Sequence, residues 1–158
     1  MPDRSMPTGA SDDAIYGEHH HIFALRWGDM DILQHVNNTV YFRAMEEARI
    51  HIFAPMQDLF AAGTGIVLAR AECDFLKPMT WPANIEVVHQ PVRLGRSSLD
   101  CSVLVRREGE PDTVYARARS VVVLSHLKTG TSCAWPAPVR AALEKQFAAI
   151  PSPAGATA

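Results

Sequence analysis

Residues 27–37 hold the side chains of this sequence that are best suited to chemistry. The segment contains two carboxylates, Asp29 and Asp31, and one imidazole, His35, and it leads into a helical pattern that begins at Asn38. The first N–H groups of a helix have no intrahelical acceptor, and the helix dipole makes that end positive. A carboxylate beside such donors suits acyl transfer, because one group can drive attack on a carbonyl while the donors stabilise the oxyanion.

The segment W-G-D-M-D-x-x-x-H-V-N-N-x-x-Y-F-x-x-M-E-E-A-R spans residues 27–49. It resembles the signature of hotdog-fold acyl-CoA thioesterases of the 4-hydroxybenzoyl-CoA thioesterase type. Residues 31–38 are also similar to the D-x-N-x-H-V-N-N stretch of plant acyl-ACP thioesterases. The match is dense over residues 26–49, and the order of elements is compatible from residue 21 to about residue 147. The resemblance implies a hotdog fold and thioester hydrolysis, and it leaves the acyl group open.

The resemblance also implies roles for individual residues. In the family the second aspartate of the G-D-x-D loop acts on the thioester, which here is Asp31, either as a nucleophile that forms a mixed anhydride or as a general base for water. The oxyanion donor is implied to be the main-chain N–H of Asn38, seven residues later. His35 could orient Asp31 or polarise water, and it could equally be a hydrogen-bonded loop residue. Asp29 is expected to accept hydrogen bonds from loop amides. From their spacing alone, both Asp29 and Asp31 could have only this structural role.

Two residues depart from the patterns of the resembling proteins. Leu33 stands where the plant pattern has Asn, so the Asp/Asn/His constellation of those enzymes is incomplete here. Gln34 stands where many bacterial relatives have Gly, which puts the local backbone turn in question.

Substrate binding is assigned to residues on the helix and in a second turn. Glu46 and Arg49 match the Y-x-x-x-x-E-x-x-R pattern of the family, and they could form a structural ion pair or place Glu46 near the acyl pocket. Residues 92–98 combine arginines, a glycine and hydroxyls at a strand junction, which suits contacts to a phosphate or pantetheine, although solvated turn charges are common. The candidate binding residues are Asn37, which could instead only cap the helix, Tyr41, Glu46, Arg93, Arg96, Ser97 and Ser98.

The hydrophobic periodicity predicts the elements that position these residues. Residues 21–27 form a first strand, and residues 38–53 form a helix whose apolar stripe is Tyr41, Ala44, Met45, Ala48 and Ile52. On the opposite face of this helix, Arg43 and Glu47 are four residues apart and can pair weakly. Period-two alternation predicts strands over residues 66–75, 85–92, 98–106 and 113–124, and a closing helix follows near residues 139–147. In the strand at 66–75, the alternation places Val67, Cys73 and Phe75 on one face. This order of elements predicts an α+β protein with an antiparallel sheet covered by one helix. The resemblance implies that the arrangement is a hotdog fold, in which a five-stranded antiparallel sheet wraps around one long helix. Residues 19–150 form the single domain, between mobile tails at 1–18 and 151–158.

Composition limits the partners. A net charge of −2 and 47% apolar residues predict a globular chain without general attraction to nucleic acid or membranes. Three cysteines without a C-x-x-C motif favour free thiols, and the absence of a leader or span pattern favours a cytoplasmic protein. No cofactor or metal motif is recognised. The histidine triplet at residues 19–21 is a poor chelate, because consecutive imidazoles on a strand point to opposite faces. Unpaired sheet edges, together with the shared sites that the resemblance implies, predict a homodimer or homotetramer.

The leading hypothesis is an acyl-CoA thioesterase. An acyl-ACP thioesterase and a non-catalytic acyl-CoA-binding protein are the alternatives, and Asp31 argues against the second because a binder gains nothing from a carboxylate beside a thioester. A hotdog dehydratase or hydratase would carry different His and Asp/Glu signatures. Release of free thiol from a panel of acyl-CoAs would separate these classes.

Overall fold

The structure, a computed structural model, describes residues 16–148. The elements in chain order are β1 (His19–Ala24), a 3-10 turn (Trp27–Asp29), α1 (Asn38–Phe53), a second 3-10 segment (Ala54–Leu59), β2 (Thr64–Phe75), β3 (Asn84–Leu94), β4 (Ser98–Arg107), β5 (Val114–His126) and α2 (Ala137–Gln146). The two ends of the described chain lie next to each other, because the Gly17 N–H donates a hydrogen bond to the Phe147 carbonyl, with an N···O distance of 2.6 Å. The rest of the two predicted tails lies outside the described residues.

The five strands form one antiparallel sheet in the order β1-β3-β4-β5-β2. Short turns join β3 to β4 and β4 to β5, as expected for antiparallel neighbours. β1 and β2 lie at the two edges, and α1, which connects them in the chain, packs against one face of the sheet. This arrangement confirms the predicted α+β class with a sheet around one long helix.

Helix α1 forms because its sequence carries a cap and a continuous apolar stripe. The Asn37 side chain accepts a hydrogen bond from the Thr39 N–H at 2.9 Å, which satisfies one of the free amides of the first turn. All five predicted stripe residues are buried, together with Val40 and Phe53. They pack on the inward side chains of the sheet, such as Val87, Val103 and Val105, in one continuous core. The α-helix ends at Phe53, and the chain continues through Pro55 as 3-10 helix.

The prediction for β2 is wrong in its phase. The sequence placed Val67 on the same face as Cys73 and Phe75, but a β-bulge between Leu68 and Arg70 inserts one extra residue. Leu68 therefore pairs with the inward-facing residue Val122, and Val67 lies on the other face. The alternation of apolar residues continued past the bulge because Ala69 is also apolar, so the sequence pattern did not reveal it.

The first strand also differs from the prediction. β1 starts at His19 and ends at Ala24, paired with residues 84–89 of β3, whereas residues 21–27 were expected. The chain leaves the strand because the Asp29 carboxylate accepts a hydrogen bond from the Arg26 N–H, which winds the next residues into a 3-10 turn.

The cysteines are free, as expected, and Cys101 is buried. Burial raises the pKa of the Cys101 thiol to about 12 and that of Cys73 to about 11.

Within residues 16–148, none of the helices combines the length and apolar character that a membrane crossing requires.

Candidate active site

Asp29 holds the loop between β1 and α1 in place. Its side chain is only 8% exposed and accepts hydrogen bonds from the Arg26 N–H at 2.8 Å and from the Arg43 guanidinium on α1. Its carbonyl oxygen accepts from the Asn37 N–H at 2.9 Å. Asp29 therefore joins the end of β1 to the start of α1, and this arrangement fits the structural role that the sequence suggested. Arg43 was expected to pair with Glu47, but it pairs with the buried carboxylate instead.

Asp31 lies in a tight turn and has one oxygen free. Its Oδ1 accepts from the Leu33 N–H at 2.8 Å and from the His35 N–H at 3.4 Å. Its own N–H donates to the His35 carbonyl at 2.8 Å. Within the described chain, Oδ2 accepts no hydrogen bond, and the His35 ring is exposed without a partner. The carboxylate is thus oriented through Oδ1, and Oδ2 has its lone pairs available.

Gln34 adopts the backbone conformation that glycine usually provides. Its φ is +60°, in the left-handed region, and its N–H donates to the Asp31 carbonyl at 3.0 Å. The turn expected for a glycine is therefore formed by a residue with a Cβ, which costs roughly 1 kcal/mol. Gln34, which stands where many relatives have glycine, therefore still forms the left-handed turn.

The start of α1 offers one free amide. The Thr39 and Val40 N–H groups bond to the side chain and the carbonyl of Asn37. The Asn38 N–H, at the first helical position, has no acceptor among residues 16–148. It is the amide that the resemblance implied as oxyanion donor. The Asn37 side chain is engaged in capping, which was one of its two expected roles.

The residues around this loop are apolar and unusually exposed. Ile32 is 96% exposed, and Leu33 and Trp27 are each 71% exposed. Tyr41 is buried in the core instead, where its ring meets Phe75 of β2 edge to face at 5.3 Å, and burial raises its pKa to about 12. The start of α1 therefore sits beside the edge strand β2. Exposed apolar clusters of this kind mark surfaces that bind a ligand or a protein.

Glu46 and Arg49 do not form the ion pair that was one of their expected arrangements. No contact within 4.0 Å joins them in the described structure, and Glu46 points to solvent. Arg49 turns inward, and desolvation lowers its pKa. It lies near His89, a fully buried imidazole on β3 whose two nitrogens have no partner within residues 16–148. Burial, followed by the charge of Arg49, lowers the pKa of His89 to about 3, so this imidazole is neutral.

The second predicted binding segment lies at the other end of the sheet. Arg93 is exposed near the end of β3, and Arg96 is exposed in the β3–β4 turn that follows. The carbonyls of Arg96 and Ser97 accept hydrogen bonds from the Trp135 and Leu124 N–H groups. β1 runs antiparallel to β3, so its last residues lie beside the start of β3, at the far end from this turn. Ten residues of strand separate the two ends, which is about 33 Å. One protomer therefore does not bring this turn to Asp31.

A shallow depression near the loop contains none of the predicted site residues. It is lined by Leu25, Trp81, Pro82, Ala83, Asn84, Arg107 and Glu108.

The sequence did not predict Arg43 as the partner of Asp29. The signal for it was weak, because an arginine two turns into a helix is usually solvated, and only the folded loop brings a carboxylate to it.

Comparison with known proteins agrees with the fold. Residues 25–143 match the family model of the thioesterase-like superfamily. The PA2801 protein from Pseudomonas aeruginosa is 35% identical, with a TM-score of 0.72 over 79% of this chain and 97% of that one. A thioesterase from Thermus thermophilus, complexed with coenzyme A and Zn, is 32% identical, with a TM-score of 0.66 over 80% and 92% of the two chains. No curated protein matches the sequence.

A more distant structure shares the architecture. The 1,4-dihydroxy-2-naphthoyl-CoA thioesterase Slr0204 from Synechocystis is 18% identical, with a TM-score of 0.70 over 80% of this chain and 96% of that one. Fold and relatives together define the class of the protein, a hotdog-fold thioester hydrolase of the 4-hydroxybenzoyl-CoA thioesterase type. The chain belongs to the thioesterase-like superfamily.

Proposed function

We propose that the protein hydrolyses acyl-CoA thioesters to the free acid and CoA, with Asp31 as the catalytic carboxylate. The observation that carries this proposal is the free Oδ2 of a carboxylate whose other oxygen is fixed by two loop amides. A side chain held in this way needs little reorganisation to react, which favours catalysis. A relative that is 32% identical is a thioesterase complexed with coenzyme A, which supports the same carrier here.

The chemistry requires a negative charge at Asp31 and a donor for the oxyanion. The carboxylate attacks the thioester carbonyl directly or removes a proton from the attacking water, and in both routes the carbonyl oxygen becomes an oxyanion. The unpartnered N–H of Asn38, at the positive end of α1, is suited to stabilise it. The C–S bond then breaks, and the CoA thiolate takes up a proton. In the general-base route this step gives the free acid; in the direct route it leaves a mixed anhydride on Asp31, which water hydrolyses to the free acid and the regenerated carboxylate. His35 lies four residues from Asp31 and is the nearest candidate for a proton carrier in sequence.

We propose in addition that the working unit is a homodimer joined through the free edge of β2. β2 pairs with β5 on one side only. Leu68 and Phe75, on the helix-facing side of this strand, are still 41% and 40% exposed, although the Phe75 ring contacts Tyr41 of α1. An isologous pairing of two such edges would bury this surface and satisfy the free backbone groups.

Antiparallel pairing of two β2 edges has a consequence for the carrier. It sets the Asp31 end of one sheet beside the opposite end of the partner sheet, where the partner copy of residues 92–98 would lie. This geometry explains how Arg93 and Arg96 could contact the phosphates of a CoA whose thioester is at Asp31 of the other protomer. Tyr41 would contribute to the pocket through its packing on Phe75, and Glu46, exposed on α1, remains a candidate for its rim.

The decisive experiment is steady-state hydrolysis of a panel of acyl-CoAs by the Asp31→Asn variant. The amide keeps the Oδ1 acceptor and removes the negative charge, so kcat should fall by about 10²–10⁴-fold while KM and the urea midpoint change little. Asp58→Asn is the matched control, because it makes the same change at an exposed aspartate after the far end of α1, and its kcat should equal that of the wild type. Glu46→Gln tests the rival carboxylate on α1, and its kcat should fall less than about tenfold.

Three results would contradict the proposal in whole or in part. A wild-type protein that binds acyl-CoA without releasing thiol would be a binding protein and not a hydrolase. Hydrolysis at the wild-type rate by Asp31→Asn, together with an inactive Glu46→Gln, would move the chemistry from the loop to α1. Activity on acyl-ACP alone would change the carrier and leave the role of Asp31 intact.

A further inference from the structure

Two histidines and a glutamate meet between β1 and α1, away from the loop of the candidate active site. His21 Nε2 lies 2.9 Å from Glu47 Oε1, and the rings of His21 and His51 are stacked with their centroids 4.3 Å apart. One ligand atom from each of the three side chains lies within 4.8 Å of the other two. Glu47 and His51 are four residues apart on α1, so they point in the same direction from the helix.

The histidine triplet of the sequence takes part through only one of its faces. His20 points away from the helix, where its ring contacts Glu86 at 2.9 Å and Glu18 at 3.1 Å. His19 and His21 share the face toward α1, because alternate residues of a strand lie on the same side. The sequence argument that the triplet itself is a poor chelate holds, and the chelating partners come from the helix.

We propose that His21, Glu47 and His51 bind one divalent transition-metal ion, with zinc as the representative ion. Two imidazoles and one carboxylate form a three-ligand set that proteins use for zinc, with water in the fourth position of a tetrahedron. Ligand atoms about 2.0–2.1 Å from zinc are about 3.3 Å apart. The ligand atoms of the observed cluster lie within 4.8 Å of one another, and His51 is exposed, so its side chain has room to move toward this spacing.

A third imidazole lies beside the cluster. The Nδ1 atom of His19 is buried and has no hydrogen-bond partner among the described residues, and His19 lies on the same face of β1 as His21. Nitrogen ligands select zinc and its first-row neighbours over magnesium and calcium, which prefer oxygen.

The proposed ion would be separate from the thioester chemistry within a protomer. Glu47 and His51 follow Asn38 by nine and thirteen residues, which is about 14 and 20 Å along the helix. The ion would instead join the edge strand β1 to α1, in addition to the direct contact between His21 and Glu47. We therefore expect a structural effect that appears as metal-dependent stability.

The test is zinc binding by untagged, metal-free protein, measured by equilibrium dialysis with metal analysis and by thermal unfolding. An added polyhistidine tag would bind zinc by itself, so the chain is used without one. The wild type should bind about one zinc per chain, and its Tm should rise by about 5 °C or more when zinc exceeds Kd by a hundredfold. Magnesium at the same concentration should produce neither effect.

The variants separate this cluster from the histidine triplet. His51→Ala and Glu47→Gln should each weaken zinc binding by more than about 100-fold, because loss of a direct ligand should exceed the 10–100-fold typical of outer-shell changes. His20→Ala is the matched control, since it removes an imidazole of the same triplet that faces away from the cluster, and it should bind zinc like the wild type. Unfolding of the metal-free variants checks that each is folded.

Three results would overturn the proposal. They are a wild type that binds no zinc, a folded His51→Ala variant that still binds one equivalent tightly, and a His20→Ala variant that loses binding as completely as His51→Ala. The last result would make His20 as important as His51, which the proposed ligand set does not allow. Loss of hydrolysis in Asp31→Asn would leave the zinc measurements unchanged, so the two proposals can fail separately.

Discussion

Replacing Asp29 by Asn should weaken the fold and spare the chemistry. The Asp29 carboxylate is nearly buried and accepts from two donors, the Arg26 N–H and the Arg43 guanidinium. An amide offers one acceptor oxygen and one NH₂ group, so it can satisfy only one of these donors and turns an N–H toward the other. One charge-assisted hydrogen bond is therefore lost in a largely buried place.

The magnitude follows from these contacts. Hydrogen bonds to charged groups contribute about 1.5–3 kcal/mol. Arg43 is 52% exposed, so solvent screens its share, and a loss of about 1–2 kcal/mol in the free energy of unfolding is expected. For a domain of this size, that corresponds to a fall of roughly 3–6 °C in Tm.

Urea unfolding followed by tryptophan fluorescence is the suitable assay, with Trp27 in the affected turn as one reporter. The protomer concentration should be held fixed, because dimerisation would make stability depend on concentration. Asp112→Asn is the matched control, since this aspartate is exposed in the β4–β5 turn and has no partner within the described residues. It should unfold like the wild type, and kcat of Asp29→Asn should stay within about tenfold of the wild-type value.

The reasoning would be refuted by the reverse pattern. If Asp29→Asn unfolded at the wild-type midpoint but lost more than about a hundredfold in kcat, the buried carboxylate would be the chemical group and Asp31 would be the turn residue. An Arg43→Met variant supplies a second check, because it leaves the Asp29 carboxylate unpaired and should destabilise at least as much as Asp29→Asn.

Four further predictions concern other parts of the molecule. Gln34→Gly should raise the free energy of unfolding by about 0.5–1 kcal/mol in urea, since glycine adopts a φ of +60° without strain. In the folded state the pKa of His89 is about 3, so His89 binds a proton below pH 6.5 only when the protein is unfolded. The free energy of unfolding should therefore fall by about 1.4 kcal/mol from pH 7.5 to 5.5. A folded His89→Leu variant should lose this part of the pH dependence of the unfolding free energy. Arg93→Ala and Arg96→Ala should raise KM for acyl-CoA with little change in kcat, an effect that added salt should diminish, and unchanged KM values for both would remove the turn from the site. Leu68→Lys should shift the protein from dimer to monomer in sedimentation velocity, whereas a monomeric and fully active wild type would exclude the β2 interface.

The local elements followed from the sequence because their signals are local. The stripe of α1 and the cap at Asn37 require only the spacing of neighbouring residues, and the helix begins and ends where these predict. The same holds for β4, whose alternation is uninterrupted. The loop around Asp31 was also recognisable, because its whole motif lies within one continuous segment.

Other features were decided only when distant segments met. The phase of β2 depends on a bulge that is defined by pairing with β5, and no property of Ala69 indicates it. The partner of Arg43 is a carboxylate fourteen residues away, which becomes buried only after the loop closes on α1. The distance between Arg93 and Asp31 within one protomer and the contact between His21 and His51 likewise depend on how distant segments pack. Hydrophobic periodicity shows which face of an element is buried. Contacts between side chains of different elements depend on strand register, packing angle and loop closure, which exist only in the folded chain.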